Sequence, residues 1–442
     1  MVSWAWYFGA IALGPFIAIL ACFWALAGFV VGFLGRRGRT HPLLIAGVWV
    51  LSEAFLARWP YGGFSWGEVG YAFHDIAIMR SLGALGGLPL ISFVAVAINA
   101  GIADLISGGR RSPRVFAKRI GLIGALIGAT LVWAILIPGP RISGSFRFAL
   151  LQGNDINRDL TDAEYFAGTL PENHFALAEK LKGEFDLIVF PESTFTDAPN
   201  APSAPFADFE WPQRLADLAV RHNSYVLANG TGDAPDGRAL NLNVLWSPQG
   251  REVGEYAKRH RVPFGEWVPM RSFIAKFVKA VEQIPRDFAP GDVRGLFKVG
   301  DTKIATVICF ESMFGAEVRP LVADGAELIV VSTNNRSYRR SANSRQHLAA
   351  AQIRAVETGR PVLQAAISGI SAVIDSNGEV LAAQPLFENG SLEGTIKTRT
   401  GTTPYVRFGE WVLILLFFCF TWSLARALIV KRVQSRQVRS IN

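Results

Sequence analysis

The chain has 442 residues, of which 50% are hydrophobic and only 18% are charged, and its formal net charge is +8. This composition is too apolar for a soluble protein of that length, and the length allows about two or three domains. The positive charge does not indicate nucleic-acid binding, because the basic residues cluster beside apolar segments. We therefore expect a membrane protein with a globular part and no nucleic-acid partner.

Apolar segments at both ends predict membrane-spanning helices. Residues 4–34 carry no charged side chain and residues 411–430 carry only Arg426, so each is long enough to cross about 30 Å of hydrocarbon. Further candidate spans lie at 43–57, 82–105 and 120–137, and the first of these is short. The sequence leaves two alternatives open for residues 4–34: one span, or two spans that turn back near Gly14-Pro15.

Basic residues predict which side of the membrane each loop faces. They follow the first span, separate the 82–105 span from the 120–137 span, and follow the last span. The clusters are Arg36, Arg37 and Arg39, then Arg110, Arg111, Arg114, Lys118 and Arg119, and finally Lys431, Arg432, Arg436 and Arg439. The positive-inside rule makes these loops cytoplasmic. The middle of the chain then faces the periplasm, in a multi-pass protein of the inner (cytoplasmic) membrane.

The middle of the chain has the pattern of an α/β domain, because short apolar runs alternate with longer helical patterns. The predicted strands are 146–151, 186–190, 225–228, 241–246, 303–308, 327–332, 362–366 and 371–374. The predicted helices are 163–181, 212–222, 314–323 and 344–358. An Asn-Gly pair at 377–378 predicts a hairpin turn. The expected domains are a transmembrane region at 1–145, a periplasmic domain at 146–405, and a C-terminal span with a basic tail at 406–442.

Polar groups follow three of the predicted strands. Glu192 follows the apolar run DLIVF, Cys309 and Glu311 follow KIATVI, and Asn334 lies just beyond ELIVVS. Sites in open α/β sheets lie at the carboxyl ends of strands. We therefore expect these side chains to meet in one pocket.

Cys309 has two interpretations. A buried cysteine commonly packs as a small hydrophobe, which is the simpler one. The alternative is a nucleophile, because Cys22 and Cys419 lie in predicted spans and leave Cys309 without a disulfide partner in the periplasmic domain. A cysteine thiol becomes a good nucleophile only beside a base or a positive charge.

The base and the positive charge have candidates elsewhere in the domain. No sequence context marks a histidine as the base; the histidines of the domain are His174, His222, His260 and His347. Glu192 is the stronger candidate, because burial at a strand end raises a carboxyl pKa toward neutrality. Lys258 precedes a Pro-bounded turn and, taken alone, fits a basic surface loop. With Glu192 and Cys309 it completes a set in which an ammonium stabilises a thiolate and an oxyanion.

Three segments that contain these residues resemble the signature blocks of the nitrilase, or carbon-nitrogen hydrolase, superfamily. They are FPES, YAKRHRVPFGEWVP and VICFES. The resemblance implies an α/β domain with an αββα sandwich and a Glu-Lys-Cys triad. In that triad Glu192 is the general base, Lys258 stabilises the thiolate and the oxyanion, and Cys309 is the nucleophile.

Within the superfamily the chain resembles the membrane-embedded apolipoprotein N-acyltransferases. Their membrane motif is similar to Glu53, Arg58 and the turn at 63–71, and further similar blocks lie at 150–154, 346–375 and 402–411. The resemblance covers about residues 43–430. It implies a ping-pong reaction in which a phospholipid acyl chain forms a thioester on the cysteine and then passes to the N-terminal amine of a lipoprotein.

The resemblance also implies supporting residues. Glu266 matches a glutamate that positions the lysine and the base, and Phe310 and Glu311 follow the nucleophile where the family usually has Tyr-Glu. Asn334, Ser337 and Tyr338 fall at lid and acyl-pocket positions. The expected partners are a phospholipid donor and a lipoprotein or other amine acceptor. No metal and no cofactor are expected, because the sequence has no Cys-x-x-Cys, no His-x-x-x-His and no phosphate loop.

The chain departs from the family in several places. After ELIVVS the family usually reads Ser-Asn-Asp-Ala-Trp-Phe-Gly, whereas this chain reads Thr333-Asn-Asn-Arg-Ser-Tyr-Arg339. An acid is therefore replaced by Asn335, and a family tryptophan near the LLQGN block is replaced by Asp162 or a neighbour. The N-terminal region is also shorter, as in the TraB type of conjugal transfer protein encoded on conjugative plasmids, which this chain resembles.

Two alternatives to the acyltransferase stay open at this point. One is an amidase or acyltransferase with the same triad but another envelope or conjugal-transfer substrate. The other is a non-catalytic component of a conjugation apparatus, although a scaffold has no need to retain Glu192, Lys258 and Cys309 together. The sequence gives no oligomeric state.

Overall fold

The computed structural model describes residues 5, 10–35, 41–107, 113–136, 139–154, 169–195, 210–276 and 286–439. The chain divides into two compact units, one formed by 1–138 with 407–442 and the other by 139–406. Some sequence predictions fall outside the described residues. They are the first part of the 163–181 helix, Asp162, the basic residues at 36–39 and 110–111, and the side chains of the basic residues beyond 430.

The first unit is helical. Its first helices are α1 (Ala10–Leu34), α2 (Pro42–Leu56), α3 (Ala77–Ser107) and α4 (Pro113–Leu136). Over the described residues α1 is a single helix that continues through Pro15. Four segments of the described chain are long and apolar enough to cross a membrane: Leu13–Leu34, Ala77–Ile106, Ala117–Leu136 and Trp411–Ile429. The predicted span at 43–57 corresponds to α2, whose 15 residues cover about 22 Å and fall short of a bilayer core.

A polar turn follows α2 within this unit. Glu53 is only 2% exposed, and its carboxylate accepts hydrogen bonds from Trp49 Nε1 at 2.9 Å and from the backbone N–H of Val69 at 2.8 Å. Gly63 has φ +93°, and a Cβ there would lie 2.1 Å from the carbonyl of Ala57. The turn therefore requires glycine at this position, and the buried glutamate fixes the turn against its helix.

The first sheet of the second unit is built around three parallel strands. Its elements are β1 (Arg141–Gln152), α5 (Leu170–Ala178), β2 (Leu187–Val189), α6 (Trp211–Arg221), β3 (Tyr225–Asp233), β4 (Ala239–Trp246) and β5 (Glu252–Ala257). Strands β1, β2 and β3 are mutually parallel, and β4 and β5 continue the sheet in antiparallel fashion.

The second sheet repeats this arrangement. Its elements are α7 (Arg271–Ile274), β6 (Leu296–Val299), β7 (Thr302–Ile308), α8 (Gly315–Ala323), β8 (Leu328–Thr333), α9 (Asn343–Thr358), β9 (Val362–Ala366), β10 (Ser371–Ile374) and β11 (Val380–Gln384). Strands β7, β8 and β9 are parallel, and the sheet order is β11-β10-β9-β8-β7-β6. The chain then returns as β12 (Gly390–Thr400), which pairs antiparallel with β1 at the edge of the first sheet. It ends in α10 (Pro404–Phe408) and α11 (Trp411–Arg439).

Three apolar layers give the second unit its architecture. Alternate residues of β1 show this, because Phe146, Phe148 and Leu150 join a core between the two sheets whereas Ala149 and Leu151 join a core with the helices α5 and α6. A third core lies between the second sheet and the helices α8 and α9. The order helix, sheet, sheet, helix confirms the predicted αββα sandwich.

The predicted strands are all present, but several elements were missed. Strands β9 and β10 have the predicted bounds, and the predicted hairpin joins β10 to β11, where Gly378 has φ +77°. The missed strands are β5, β6, β11 and β12. Of these, β5, β11 and β12 are largely exposed, so none shows the alternation of apolar and polar residues that marks a half-buried strand. Strand β1 begins at Arg141 and not at 146, because its first residues pair with β12. The sequence pattern did not show them because they are exposed.

A buried arginine supports the second sheet. Arg360 is 2% exposed and donates from Nε to the carbonyl of Ala326 at 2.6 Å and from Nη2 to the carbonyl of Gly401 at 2.5 Å. Burial lowers the pKa of its guanidinium to about 10, so it stays charged at neutral pH. It joins the segment before β8 to the chain beyond β12.

We expect Arg360→Ala to destabilise the second unit, because each carbonyl left without a donor costs about 1–3 kcal/mol. The measurement is the thermal unfolding midpoint of the purified full chain. Arg221→Ala is the matched control, since Arg221 is exposed. An unchanged midpoint for Arg360→Ala, or an equal fall in both variants, would contradict this role.

Candidate active site

The direction of the strands brings the predicted site residues to one end of each sheet, where the strands that precede them finish. In the first sheet β5 runs parallel to β2, because two antiparallel pairings separate β3 from β5. Glu192 follows β2 and Lys258 follows β5, so both lie at the same end of the sheet. In the second sheet β7 and β8 are parallel, and Cys309 and Asn334 follow them. The expected convergence at strand ends is therefore present.

Cys309 lies on a sharp turn between β7 and a short 3-10 helix, Cys309–Met313. Its φ is +49°, a conformation that costs a non-glycine residue about 1–2 kcal/mol. The residue is partly exposed, and its Sγ lies 4.0 Å from the carbonyl oxygen of Asn334. Strain of this kind is concentrated at functional sites, where the surrounding structure holds it in place.

Lys258 is the centre of a buried ion cluster. Its side chain is 2% exposed, and Nζ lies 3.1 Å from Oε1 of Glu192 and 2.9 Å from Oε1 of Glu266. Burial lowers the pKa of the ammonium, but the charges of Glu192 and Glu266 outweigh it and raise the pKa well above its ordinary value. The ammonium is therefore permanently charged at neutral pH.

Glu192 is fixed by donors on both oxygens. Oε1 accepts from Lys258 and from Asn241 Nδ2 at 3.0 Å, and Oε2 accepts from the backbone N–H of Asn334 at 2.8 Å. The same Asn241 amide donates to Oε1 of Glu266 at 2.9 Å, so it bridges the two carboxylates. Glu266 in turn accepts the backbone N–H of Val262 at 2.8 Å. The arrangement places Glu266 where the sequence predicted, beside the lysine and the base.

A ladder of buried asparagines behind this cluster was missed by the sequence prediction. Asn229 donates to the side-chain oxygens of Asn241 and Asn243 at 2.8 and 3.0 Å, and accepts the backbone N–H of Ser193 at 2.8 Å. Asn243 donates across the sandwich to Thr306 Oγ1 at 2.7 Å. Asn229 lies on β3, and Asn241 and Asn243 lie two residues apart on the neighbouring strand β4. Through them, Ser193, which follows Glu192, is connected to Thr306 on β7, the strand that precedes Cys309.

The environment of the Cys309 thiol keeps it protonated at rest. Burial raises its pKa to about 12, and the charge of Glu192 acts in the same direction. Lys258 opposes this effect, as do hydrogen bonds from Thr333 and Asn334. Attack by this sulfur therefore needs a base that removes its proton as the new bond forms.

Glu311 links the lysine segment to the cysteine turn. It is fully buried and accepts from Tyr256 Oη, from the backbone N–H of Arg259 and from the backbone N–H of Ile308, each at 2.8 Å. Burial raises its pKa even so, and these donors and the charge of Lys258 oppose that rise. Glu311 therefore holds the two strand ends in register from behind the site.

The remaining predicted residues differ in their placement. Phe310 packs with His260 and Phe314, at ring-centroid distances of 5.5 and 4.9 Å, in an aromatic cluster. Ser337 is exposed and half-buried Tyr338 lies nearer the site, since burial and then the Cys309 charge raise its pKa. Asn334 contacts both Glu192 and Cys309 through its backbone.

One histidine lies beneath the cysteine. His347 Nε2 is 3.0 Å from the carbonyl oxygen of Cys309 and 2.7 Å from Oγ of Ser312, and Nδ1 is 3.1 Å from Oγ1 of Thr333. Burial lowers its pKa to about 4, so the ring is neutral. It contacts the backbone carbonyl of Cys309. Only the fold could assign it this place, because nothing distinguishes it from the other histidines in sequence.

No cluster of His, Cys, Asp and Glu side chains that could hold a metal ion is found in the described part of the chain. The arrangement can perform nucleophilic catalysis with a thiol, a carboxylate base and a fixed cation. Groups of these types can support acyl transfer through a covalent intermediate.

Comparisons with known proteins agree with this chemistry. The profile of the Carbon-nitrogen hydrolase family matches residues 147–405, and that of the Apolipoprotein N-acyltransferase N-terminal domain matches residues 1–101. An Apolipoprotein N-acyltransferase of Geobacter metallireducens is 30% identical over 417 residues, which are 89% of this chain and 76% of the relative. One of Methylococcus capsulatus is 32% identical over 410 residues, which are 90% of this chain and 77% of the relative.

A Saccharomyces cerevisiae protein described as a member of branch 10 of the nitrilase superfamily aligns with 58% of this chain and 91% of its own. The identity is 14% and the TM-score is 0.42. The names of the two acyltransferases do not refer to conjugation or plasmids, so these relatives lend the conjugal-transfer hypothesis no support.

We expect Lys258→Met to slow the alkylation of Cys309 by iodoacetamide. The lysine charge lowers the thiol pKa, so its removal raises that pKa further and reduces the thiolate fraction at every pH below it. The alkylation rate is proportional to the thiolate fraction, so the rate of either protein should rise about tenfold per pH unit below the thiol pKa. The measurement is peptide mass spectrometry between pH 7 and 10.

The variants are made in a background in which Cys22 and Cys419 are replaced by serine. Lys303→Met is the control, because Lys303 is exposed at the start of β7, the strand that carries Cys309 at its other end. Faster alkylation in Lys258→Met, or the same loss in the control, would contradict the assignment.

Proposed function

The chain belongs to the apolipoprotein N-acyltransferase branch of the carbon-nitrogen hydrolase family, and from that premise we propose that it acylates an amine with a phospholipid acyl chain. The donor is a membrane phospholipid, and the acceptor is the N-terminal amine of a lipoprotein. The observation that carries the proposal is the contact of buried Lys258 with Glu192, whose other oxygen binds the segment facing Cys309.

In the first half-reaction the Cys309 sulfur attacks the acyl carbonyl carbon of the phospholipid. Glu192 accepts the thiol proton as the carbon–sulfur bond forms. Lys258 stabilises the negative charge that develops on the sulfur and on the carbonyl oxygen. The tetrahedral intermediate then expels the alcohol oxygen of the glycerol, which takes the proton from Glu192. A lysophospholipid leaves, and a thioester remains on Cys309.

In the second half-reaction the neutral amine attacks the thioester carbonyl. Glu192 now accepts a proton from the amine nitrogen, and the Cys309 sulfur leaves and recovers that proton. The products are an amide and the resting thiol. Glu266 and Asn241 keep the Glu192 carboxylate and the Lys258 ammonium in place through both steps, because Glu266 binds the ammonium and Asn241 bridges the two carboxylates.

The proposal includes a location for this chemistry. Four helices of the described chain are long and apolar enough to span a membrane, as a lipid-modifying enzyme requires. Basic residues follow the first and last of these segments in the sequence, and both groups are cytoplasmic if the short helix α2 also crosses the membrane, with the bilayer thinned around it. The αββα unit then faces the periplasm from the inner membrane.

We expect the wild-type chain in detergent to gain the mass of one acyl group on Cys309 when it is incubated with phospholipid and no acceptor. Cys309→Ala removes the nucleophile and should show no adduct by intact and peptide mass spectrometry. Glu192→Gln should form the adduct at least about a hundredfold more slowly, because general-base catalysis contributes about that factor or more. An adduct that forms equally on Cys309→Ala would exclude the thioester mechanism.

The acceptor is tested by complementation. A bacterial strain whose own apolipoprotein N-acyltransferase is under conditional expression should grow with the wild-type chain and fail with Cys309→Ala. Equal amounts of both proteins in the membrane fraction are the control. A wild-type chain that forms the thioester but does not restore growth would favour another amine acceptor. Growth with a Glu192→Gln, Cys309→Ala double variant would establish a non-catalytic role.

A further inference from the structure

One charged loop beside the site has no part in the proposed chemistry. We call residues 333–345 the arginine loop, since it contains four arginines and no acidic residue: Arg336, Arg339, Arg340 and Arg345. It starts at the reacting groups themselves, because Asn334 donates its backbone N–H to Glu192 and its carbonyl oxygen lies 4.0 Å from Sγ of Cys309. The base of the loop therefore lies next to the thiol.

The tip of the loop is a turn that normally requires glycine. The backbone N–H of Ser341 donates to the carbonyl of Tyr338 at 3.1 Å, and Arg339 between them has φ +47° and ψ −139°. These angles are those of the first central position of a type II′ turn, which favours glycine. The chain holds an arginine there against a conformational cost, which points to a use for its side chain.

The loop is held at its base and exposed at its tip. Asn335 donates from Nδ2 to Oδ1 of Asn343 at 2.9 Å, and both side chains are buried. Arg339, Arg340 and Arg345 are exposed, and the Arg340 guanidinium lies 5.2 Å from the ring centroid of Phe387. The geometry is therefore that of a fixed frame which presents guanidinium groups to solvent beside the active site.

Guanidinium groups in this setting select for phosphate. A planar guanidinium matches the oxygens of a phosphate with paired hydrogen bonds, and it is always charged. The first substrate of the proposed reaction carries a phosphodiester a few covalent bonds from the ester that Cys309 attacks. The second substrate carries an amine that is partly protonated near neutral pH, and the loop would repel its cationic form.

We infer that the arginine loop binds the phosphate of the acyl-donor phospholipid, and so directs donor selection in the first half-reaction. This inference rests on the proposed acyl transfer, which supplies the ester. The phosphate is bound while the acyl carbonyl lies at Cys309, and it leaves with the lysophospholipid. The exposed tip, with Arg339 and Arg340, makes the contacts.

The test compares two donors that differ only in the phosphate headgroup, a phospholipid and the diacylglycerol with the same acyl chains. Both are presented in micelles of a neutral detergent at one ionic strength. The readout is the single-turnover rate of adduct formation on Cys309 as a function of donor concentration. The variants are Arg339→Gly and Arg340→Gln, and Arg251→Gln is the control because Arg251 is exposed outside the loop.

We expect each loop variant to need at least about tenfold more phospholipid for half-maximal rate, since a hydrogen bond to a charged group contributes about 1.5 kcal/mol or more. The dependence on diacylglycerol should not change, and Arg251→Gln should behave as wild type. Arg339→Gly should also unfold at an equal or higher temperature, because glycine relieves the turn.

Other outcomes would overturn the inference. Unchanged phospholipid dependence in both variants would show that the loop does not bind the phosphate. An equal loss with diacylglycerol, or a lower unfolding temperature in Arg339→Gly, would show a structural role instead. If no donor forms an adduct on the wild-type chain, the proposed acyl transfer itself is wrong, and the inference fails with it.

Discussion

The site depends on one buried ammonium between two carboxylates. Lys258 is almost fully buried, a position that a lone charge could not occupy, and Glu192 and Glu266 compensate it within hydrogen-bond distance. Asn241 donates to both carboxylates and so holds them at the separation that the lysine requires. Because the same ammonium lowers the pKa of the Cys309 thiol, the charge that organises the site also acts on its nucleophile.

This cluster is possible only because polar side chains join the two sheets. Asn243 reaches from β4 to Thr306 on β7, and Glu311 accepts from Tyr256 on β5 and from the backbone at the end of β7. The apolar core between the sheets would by itself allow small displacements between them, since dispersion and burial have little directional preference. The hydrogen bonds fix the register, and the strained turn at Cys309 is held between them.

The sequence predicted the sandwich and its main strands because apolar runs of five or six residues stand out against polar surroundings, as in β7, β8 and β9. It failed for β5, β11 and β12, which are largely exposed. Strands β5 and β11 pair with the strand before them, and β12 pairs with β1, which is far away in the sequence. The helix predicted at 163–181 is described only as α5, Leu170–Ala178. The hydrophobic pattern identifies strands and helices that bury one face. It is a weak guide to exposed strands that are stabilised mainly by hydrogen bonds to a neighbouring strand.

The sequence by itself was enough to predict the family and a candidate chemistry: a glutamate, a lysine and a cysteine at strand ends, between segments apolar enough for a membrane. Only the tertiary structure decided which polar side chains support them. His347 and the asparagine ladder act through contacts between residues far apart in the chain, which no local pattern encodes. The same holds for Arg339, whose unusual backbone angles appear only when the turn is folded. The candidate reacting groups can be predicted from residue type and order in the chain, whereas the residues that hold them in place are known only from distances in the folded structure.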